Sequence, residues 1–338
     1  MGRSWSGPAI PVLALVLLGA AHSAIAAQNH GTRPGEGGQA DEIGVGIGVL
    51  DIVGIDNRAQ TFSVDLYLQV EWRDPRLAAM DNADSAYRTF ATSDVWSPGL
   101  TVVNDRGLDP RLPDVVTVDR LGNVVLRQRY TGSLSVNLDL REFPFDAQRL
   151  PIQIVSYRYT PEELTFSAES LMVGRFDSLS SDGWTFRATE PETSIYRLSD
   201  DAPGRSMLTF TVLARRDAGY YVLTLALPMT LILFLAWVAH WVPPELIPAR
   251  MGIASATVFS LIAFGVSFRL TLPQIAYLTV ADRFVLYSTL LVFASLTVIV
   301  MSVTRVSSGR QDAAIRLTRL ARIAFPILYI VILAMVAL

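Results

Sequence analysis

The chain reads as an extracellular, immunoglobulin-like β-sandwich followed by a transmembrane bundle of four helices. Three observations carry that reading. Residues 61–72 alternate strictly between apolar and polar side chains, the period of a half-buried strand, and similar short runs recur up to Arg216. At Tyr220 the composition switches to four long apolar segments, on the scale of the roughly 20 residues a helix needs to cross a bilayer. The 338 residues are 51% hydrophobic and only 17% charged, with a mean hydropathy of +0.36. That is too apolar for an ordinary soluble protein.

Taken in order, residues 1–27 read as a secretory signal peptide. Arg3 supplies the positive start, residues 10–21 the apolar core and Ala24-Ile25-Ala26 the cleavage site. The chain beyond the cleavage site is therefore expected outside the cytoplasm. Residues 28–42 are glycine-rich and polar and read as a disordered leader. The sandwich is expected over residues 43–217. In its first clear strand, Phe62, Val64, Leu66, Leu68, Val70 and Trp72 share one face, with Ser63, Asp65, Tyr67, Gln69 and Glu71 on the other. Residues 129–140 repeat the pattern with Leu134, Val136, Leu138 and Leu140 inward, and residues 208–213 form another short strand. Asp105-Arg106-Gly107, Leu121-Gly122-Asn123 and Ser181-Asp182-Gly183 are turn signals between the runs. Many short strands so separated argue for a sandwich.

The membrane domain, residues 218–338, holds spans near 220–242, 249–270, 283–304 and 318–338. Trp237 and Trp241 suit the membrane interface, and the linker before the last span carries Arg305, Arg310, Arg316, Arg319 and Arg322. Clustered arginines of this kind stay in the cytoplasm. Four spans then place the sandwich and the C-terminus on the outer side. The second span is unlike the others. Gly252, Ala256, Phe259, Ala263 and Val266 come at steps of three or four and share one helix face. That face is small and neutral, with Arg250 and Arg269 at its ends. It suits a water-filled path between several copies. Gly252-x-x-x-Ala256 is equally a spacing for close helix packing.

Several function classes lose their footing here. There is no cysteine, which excludes disulfides, thiol catalysis and cysteine metal sites. The three histidines, His22, His30 and His240, are scattered, and no cofactor or metal is expected. No nucleophile with a partner histidine and no phosphate loop is visible, and carboxylates such as Asp182 and Glu190 read as solvated, so a membrane-anchored enzyme has no site. A net charge of −3 gives no case for nucleic acid. A periplasmic sensor signalling across the membrane is the other alternative, but the cytoplasmic linker is too short for an output domain.

A series of motifs then appears in a fixed order. Glu71-Trp72-Arg73-Asp74-Pro75-Arg76-Leu77, Asp94-Val95-Trp96-Ser97-Pro98, the loop around Phe143-Pro144-Phe145-Asp146, Ser156-Tyr157-Arg158-Tyr159-Thr160 and Ala226-Leu227-Pro228 run from the sandwich into the first span. On these the chain resembles the pentameric ligand-gated ion channels of the Cys-loop receptor superfamily. It lacks the two cysteines that name the superfamily, as bacterial members do. The resemblance implies a homopentamer, each chain joined by four identical subunits in the lipid bilayer of a bacterial inner membrane. The second span would line the pore and Phe259 would form a hydrophobic constriction that gates by dewetting.

The resemblance also implies roles for particular residues. Pro248-Ala249-Arg250-Met251-Gly252 looks like the inner mouth of glycine and GABA receptors. Arg269, four residues before Pro273, falls where glycine receptors carry an arginine at the outer mouth. Pro248, Ala249, Arg250 and Arg269 are thus the expected selectivity residues, favouring chloride. Glu245 keeps a cation channel as the alternative. A small-molecule agonist would bind between subunits, with Tyr157, Tyr159 and Tyr196 on one side and Tyr67 and Arg127 on the other. Aromatics suit a cationic amine and Arg127 suits a carboxylate. Val103 and Gln69 depart from the family pattern here. Acid sensing would rest on carboxylates, because the β domain has no histidine beyond the leader. Asp56, Phe145, Asp146, Arg216 and Pro273 would couple the two domains, with Asp56, Asp146 and Arg216 as a charge cluster.

Overall fold

The computed structural model describes residues 32–36, 38–78, 86–168, 179–269 and 275–337. The expected signal peptide and Pro273 lie outside these residues. Strands β1 (Asp41–Asp56), β2 (Thr61–Arg73), β3 (Tyr87–Ala91), β5 (Asp109–Pro110), β6 (Val115–Asp119), β7 (Asn123–Ser135) and β9 (Leu164–Ala168) form one sheet. Its order is β3-β6-β7-β2-β1-β9, with β5 beside β7. Strands β4 (Leu100–Val102), β8 (Ala147–Ser156), β10 (Trp184–Ala188), β11 (Glu192–Tyr196) and β12 (Arg205–Arg216) form the second, in the order β10-β12-β8-β4 with β11 also on β12.

The core between the sheets comes from the alternation. Every second residue of β2 from Phe62 to Trp72 is buried, and it meets Ile43, Val45 and Ile47 of β1 and Ile152, Ile154, Leu208 and Phe210 from the other sheet. Trp72 and Trp96 pack edge to face at 5.9 Å, a favoured aromatic geometry. Gly122 has φ +81°, and a Cβ there would fall 2.4 Å from the Asp74 carbonyl oxygen, so this turn requires glycine.

Two sequence expectations change. Strand β7 ends at Ser135, although Val136, Leu138 and Leu140 are buried as the alternation demands. Val136 N–H still reaches the Gln60 carbonyl at 2.9 Å, but from Leu138 on the N–H groups bond side chains, such as Leu138 N–H to Gln60 Oε1 at 2.8 Å, in place of a ladder. The described part of the leader is also tied down. Arg33 pairs with Asp41 at 2.9 Å and donates to the Glu163 carbonyl at 2.8 Å, and Arg76 donates to the Thr32 carbonyl at 2.9 Å. Polar, glycine-rich composition hid these arginine contacts.

The membrane domain has four helices: α1 (Gly219–Val238), α2 (Ile247–Arg269), α3 (Val280–Ser307) and α4 (Gln311–Ala337), all long and apolar enough to cross a membrane. The fourth begins earlier than its apolar run, because its first turns carry Arg316, Arg319 and Arg322. Helix α1 contains a π-helical stretch, Val222–Ala226, just before Pro228. Proline lacks the N–H that a regular turn would use.

Candidate functional site

The seam between the two domains is built where β12 runs out. Its last residue, Arg216, is opposite Trp184 of β10. Burial of a guanidinium is costly unless it is paired and its N–H groups are satisfied. Arg216 meets both conditions. Nε donates to Asp146 Oδ1 at 2.7 Å, and Nη2 donates to Asp146 Oδ2 and Asn57 Oδ1, each at 3.1 Å. The two charged side chains are only 2% and 1% exposed. The guanidinium carbon lies 4.1 Å from the Trp184 ring centre, 4.9 Å from Phe143 and 5.4 Å from Tyr221. Tyr221 belongs to α1, so the cation touches both domains at once.

A second connection lies alongside. The loop around Phe143–Asp146 sits on the start of α3. Val280 N–H donates to the Arg141 carbonyl at 3.0 Å and Ala281 N–H to the Phe143 carbonyl at 3.1 Å. The first N–H groups of a helix have no partner inside it, and here the loop supplies two. A capping box between Thr279 and Asp282 fixes the helix start. Leu140 N–H donates to the Tyr277 hydroxyl at 3.0 Å. Phe145, largely exposed on its own loop, overhangs a groove of about 210 Å³ formed with Val222, Leu225, Phe284 and Val336.

Asp56 is placed differently from expectation. Its carboxylate closes its own turn, accepting from Arg58 N–H at 2.8 Å and Ala59 N–H at 2.9 Å, and the neighbouring Asn57 reaches Arg216 instead. An aspartate in a tight turn prefers its own backbone. Asn57, Trp184, Tyr221 and Tyr277 were not singled out by the sequence. The tyrosines sit beside span boundaries, which is a usable signal, but nothing local marks Asn57.

Helix α2 has two opposed faces. Arg250, Ala254, Thr257 and Leu261 are buried against the other helices. Gly252, Ala256, Phe259, Ala263 and Val266 are all exposed, as are Pro248, Ala249 and Arg269. Phe259 is 71% exposed, unusual for a phenylalanine packed within its own subunit. Arg269 borders a groove of about 380 Å³ with Val266, Leu278 and Asp282. Arg250 corrects the sequence reading of a mouth residue. It is fully buried inside the bundle, donating to the Ala239 carbonyl at 3.2 Å, Ser302 Oγ at 2.9 Å and Thr318 Oγ1 at 3.4 Å. It stands about 160° round the helix from Gly252, two residues away, so it cannot share that face.

The expected ligand residues lie on different sheets. Tyr67 and Arg127 are on the outer faces of β2 and β7, where Arg127 Nε donates to Gln69 Oε1 at 3.2 Å and Tyr67 is half-buried. Tyr157 and Tyr159 come after β8, and Tyr196 closes the β11–β12 hairpin opposite Arg205. Tyr157 is exposed. Tyr159 is turned inward, accepting from Trp96 Nε1 at 2.8 Å. No three potential metal-ligating side chains converge among the described residues.

A β-sandwich whose last strand passes directly into four helices able to cross a membrane, with a buried ion pair and backbone bonds at the join, defines a multi-pass membrane protein with a firmly joined outer domain. The model of the neurotransmitter-gated ion-channel ligand-binding domain matches residues 22–217. The chain is 28% identical to a proton-gated ion channel of Gloeobacter violaceus, over 86% of this chain and 82% of that one. It is 27% identical to a gamma-aminobutyric acid receptor beta subunit of Caenorhabditis elegans, over 78% of this chain and 49% of the relative. With the human gamma-aminobutyric acid receptor subunit rho-3 it shares 27% over 78% of this chain and 58% of the relative. It thus spans most of the bacterial relative and about half of the animal subunits. The chain belongs to the neurotransmitter-gated, pentameric ligand-gated ion-channel family, a family of channels and not of enzymes.

Proposed function

We propose that five copies of this chain form an agonist-gated, anion-selective channel lined by α2, in a bacterial inner membrane with the sandwich in the periplasm. The two opposed faces of α2 carry this reading. One face is used up in packing its own bundle, and the other presents Gly252, Ala256, Phe259, Ala263 and Val266 outward. A ring of five Phe259 side chains would form a constriction that empties of water when narrow. Pro248 and Ala249 put no carboxylate at the inner end of that face, and Arg269 puts a cation at its outer end. Five such cations would raise the local concentration of anions.

The gamma-aminobutyric acid receptor relatives make an anion plausible, whereas the bacterial relative is cation-selective, so the ion sign rests on the charges of α2. The alternative is a cation channel with Glu245 as its filter. Glu245 is exposed in the turn between α1 and α2. Phe259→Ser should wet the constriction and leak without agonist. Its reversal potential in a salt gradient, expected near the chloride potential, tests the ion sign. A value near the sodium potential would transfer the filter to Glu245.

A further inference from the structure

We infer that α4 positions the inner end of the pore helix through a socket that Pro326 makes for the Trp237 indole. The inference rests on the channel reading above and adds positioning residues to it. Pro326 lies inside α4, which runs on without a break from Gln311 to Ala337. In an α-helix each carbonyl accepts from the N–H four residues further on. The carbonyl of Arg322 therefore looks to residue 326, and proline has no N–H to give. A bilayer holds no water to replace that donor, so an unfilled carbonyl there is costly. Trp237 of α1 supplies what is missing: its Nε1 donates to the Arg322 carbonyl at 2.9 Å. Trp237 is thus more than an interfacial aromatic, since its N–H is spent on α4 and not on water.

Arg322 answers in the other direction. Its Nε donates to the carbonyl of His240, just past the end of α1, at 2.9 Å, and its guanidinium carbon lies 4.8 Å from the Trp241 ring centre. Two turns along, the Tyr329 hydroxyl meets Thr230 Oγ1 at 2.6 Å. Thr230 Oγ1 also lies 2.6 Å from the Ala226 carbonyl, which can only accept, so Tyr329 is the donor. Trp237 and Thr230 are seven residues apart, as are Arg322 and Tyr329, so the two rungs match an antiparallel pair of helices. Lipid tails are as apolar as leucine, which leaves such polar links to decide how membrane helices dock. The start of α2 hangs from the same place. Thr318, one turn before Arg322, accepts from Arg250 Nη2 at 3.4 Å, and Arg250 Nε donates to the Ala239 carbonyl at 3.2 Å. One turn of α4 therefore grips both sides of the connection between α1 and α2. Pro248 and Ala249, at the start of the exposed face of α2, follow directly on that connection.

Four full-length forms test this: the parent, Trp237→Phe, Pro326→Ala and the double variant, each also carrying Ala249→Cys. The chain has no cysteine of its own, so the reporter is unique. A membrane-impermeant maleimide, applied to the cytoplasmic side of inside-out vesicles, reads the inner mouth as a gel shift. Melting of the detergent-solubilised pentamer reads the socket. Trp237→Phe leaves the Arg322 carbonyl bare, and Pro326→Ala restores an N–H that fills it from within α4. Pro326→Ala should thus raise the melting temperature of Trp237→Phe and not that of the parent. The link between the helices is lost in all three variants. All three should label about threefold faster than the parent, the worth of one hydrogen bond between membrane helices. A proline that only shaped its own helix would shift melting and labelling together. Equal melting shifts in the two backgrounds would make Pro326 and Trp237 independent and overturn the inference, as would one labelling rate for all four forms. No labelling of any form would instead overturn the pore reading, and the melting order would still decide the socket.

Discussion

Two arginines are buried in this molecule under opposite regimes. Arg216, at the seam, has a carboxylate, an amide and three aromatic rings around it. Arg250, inside the helical bundle, has a backbone carbonyl and two hydroxyls and, among the described residues, no carboxylate in hydrogen-bond contact. The first is one half of a pair of charges, and neither half has another ionic partner among the described residues. The second is a fork that ties α2 to the end of α1, to α3 and to α4. The difference shows in what is left when each interaction is cut. Removing Asp146 strands a charge. Removing Arg250 leaves Ser302 and Thr318, whose hydroxyls already lie 3.2 Å apart and can satisfy each other.

The largest effect should therefore come from Asp146→Ala. Breaking a buried pair from one side costs about 3–5 kcal/mol, which should abolish assembly or gating. Surface expression together with current distinguishes the two. Full expression with parental currents would show that the seam pair is dispensable. Arg250→Gln is expected to cost only about 1–2 kcal/mol, seen as a lower melting temperature of the detergent-solubilised pentamer. In the leaky Phe259→Ser background it should leave the reversal potential unchanged. A shift towards the cation potential would put Arg250 back at the channel mouth. Thr279→Ala removes a helix cap and should cost about 1 kcal/mol, mainly at the α3 start, where amide hydrogen exchange would quicken. Arg149→Ala, which breaks an exposed pair with Glu192 at 3.6 Å, should change stability by less than about 1 kcal/mol. A larger loss there would mean that the surface pairs deserve the weight given to the seam.

Much of this architecture was legible because it repeats. The alternation of Phe62 to Trp72 and the runs of the four spans are patterns over many residues, and both survive in the structure. The exposed stripe from Gly252 to Val266 was legible for the same reason. Arg250 was misread because a charge at the end of an apolar run looks like a mouth, whereas its rotation about the helix points it at Ala239, Ser302 and Thr318. Those partners come from three distant segments, and no local pattern links them. Asp56 was misread for the opposite reason. Its role is local: a turn aspartate closing on the Arg58 and Ala59 N–H groups is an ordinary event that charge alone does not distinguish from a distant ion pair. Tyr157 shows a third case: it stood out in the sequence as an aromatic, but that Arg158 stacks on it depends on the backbone at Gly99.

The two bonds from Val280 and Ala281 to the Arg141 and Phe143 carbonyls have a practical corollary. They are made by main-chain atoms, so a scan that replaces side chains one at a time passes over them, and the contact would register as silent. Proline is the reagent that sees it. Val280 is the first residue of α3, where an imino acid fits the helix, and Thr279 before it is already extended with φ −82° and ψ 169°. Val280→Pro would thus delete one inter-domain thread and leave the helix whole, turning an invisible connection into one that a single substitution can report.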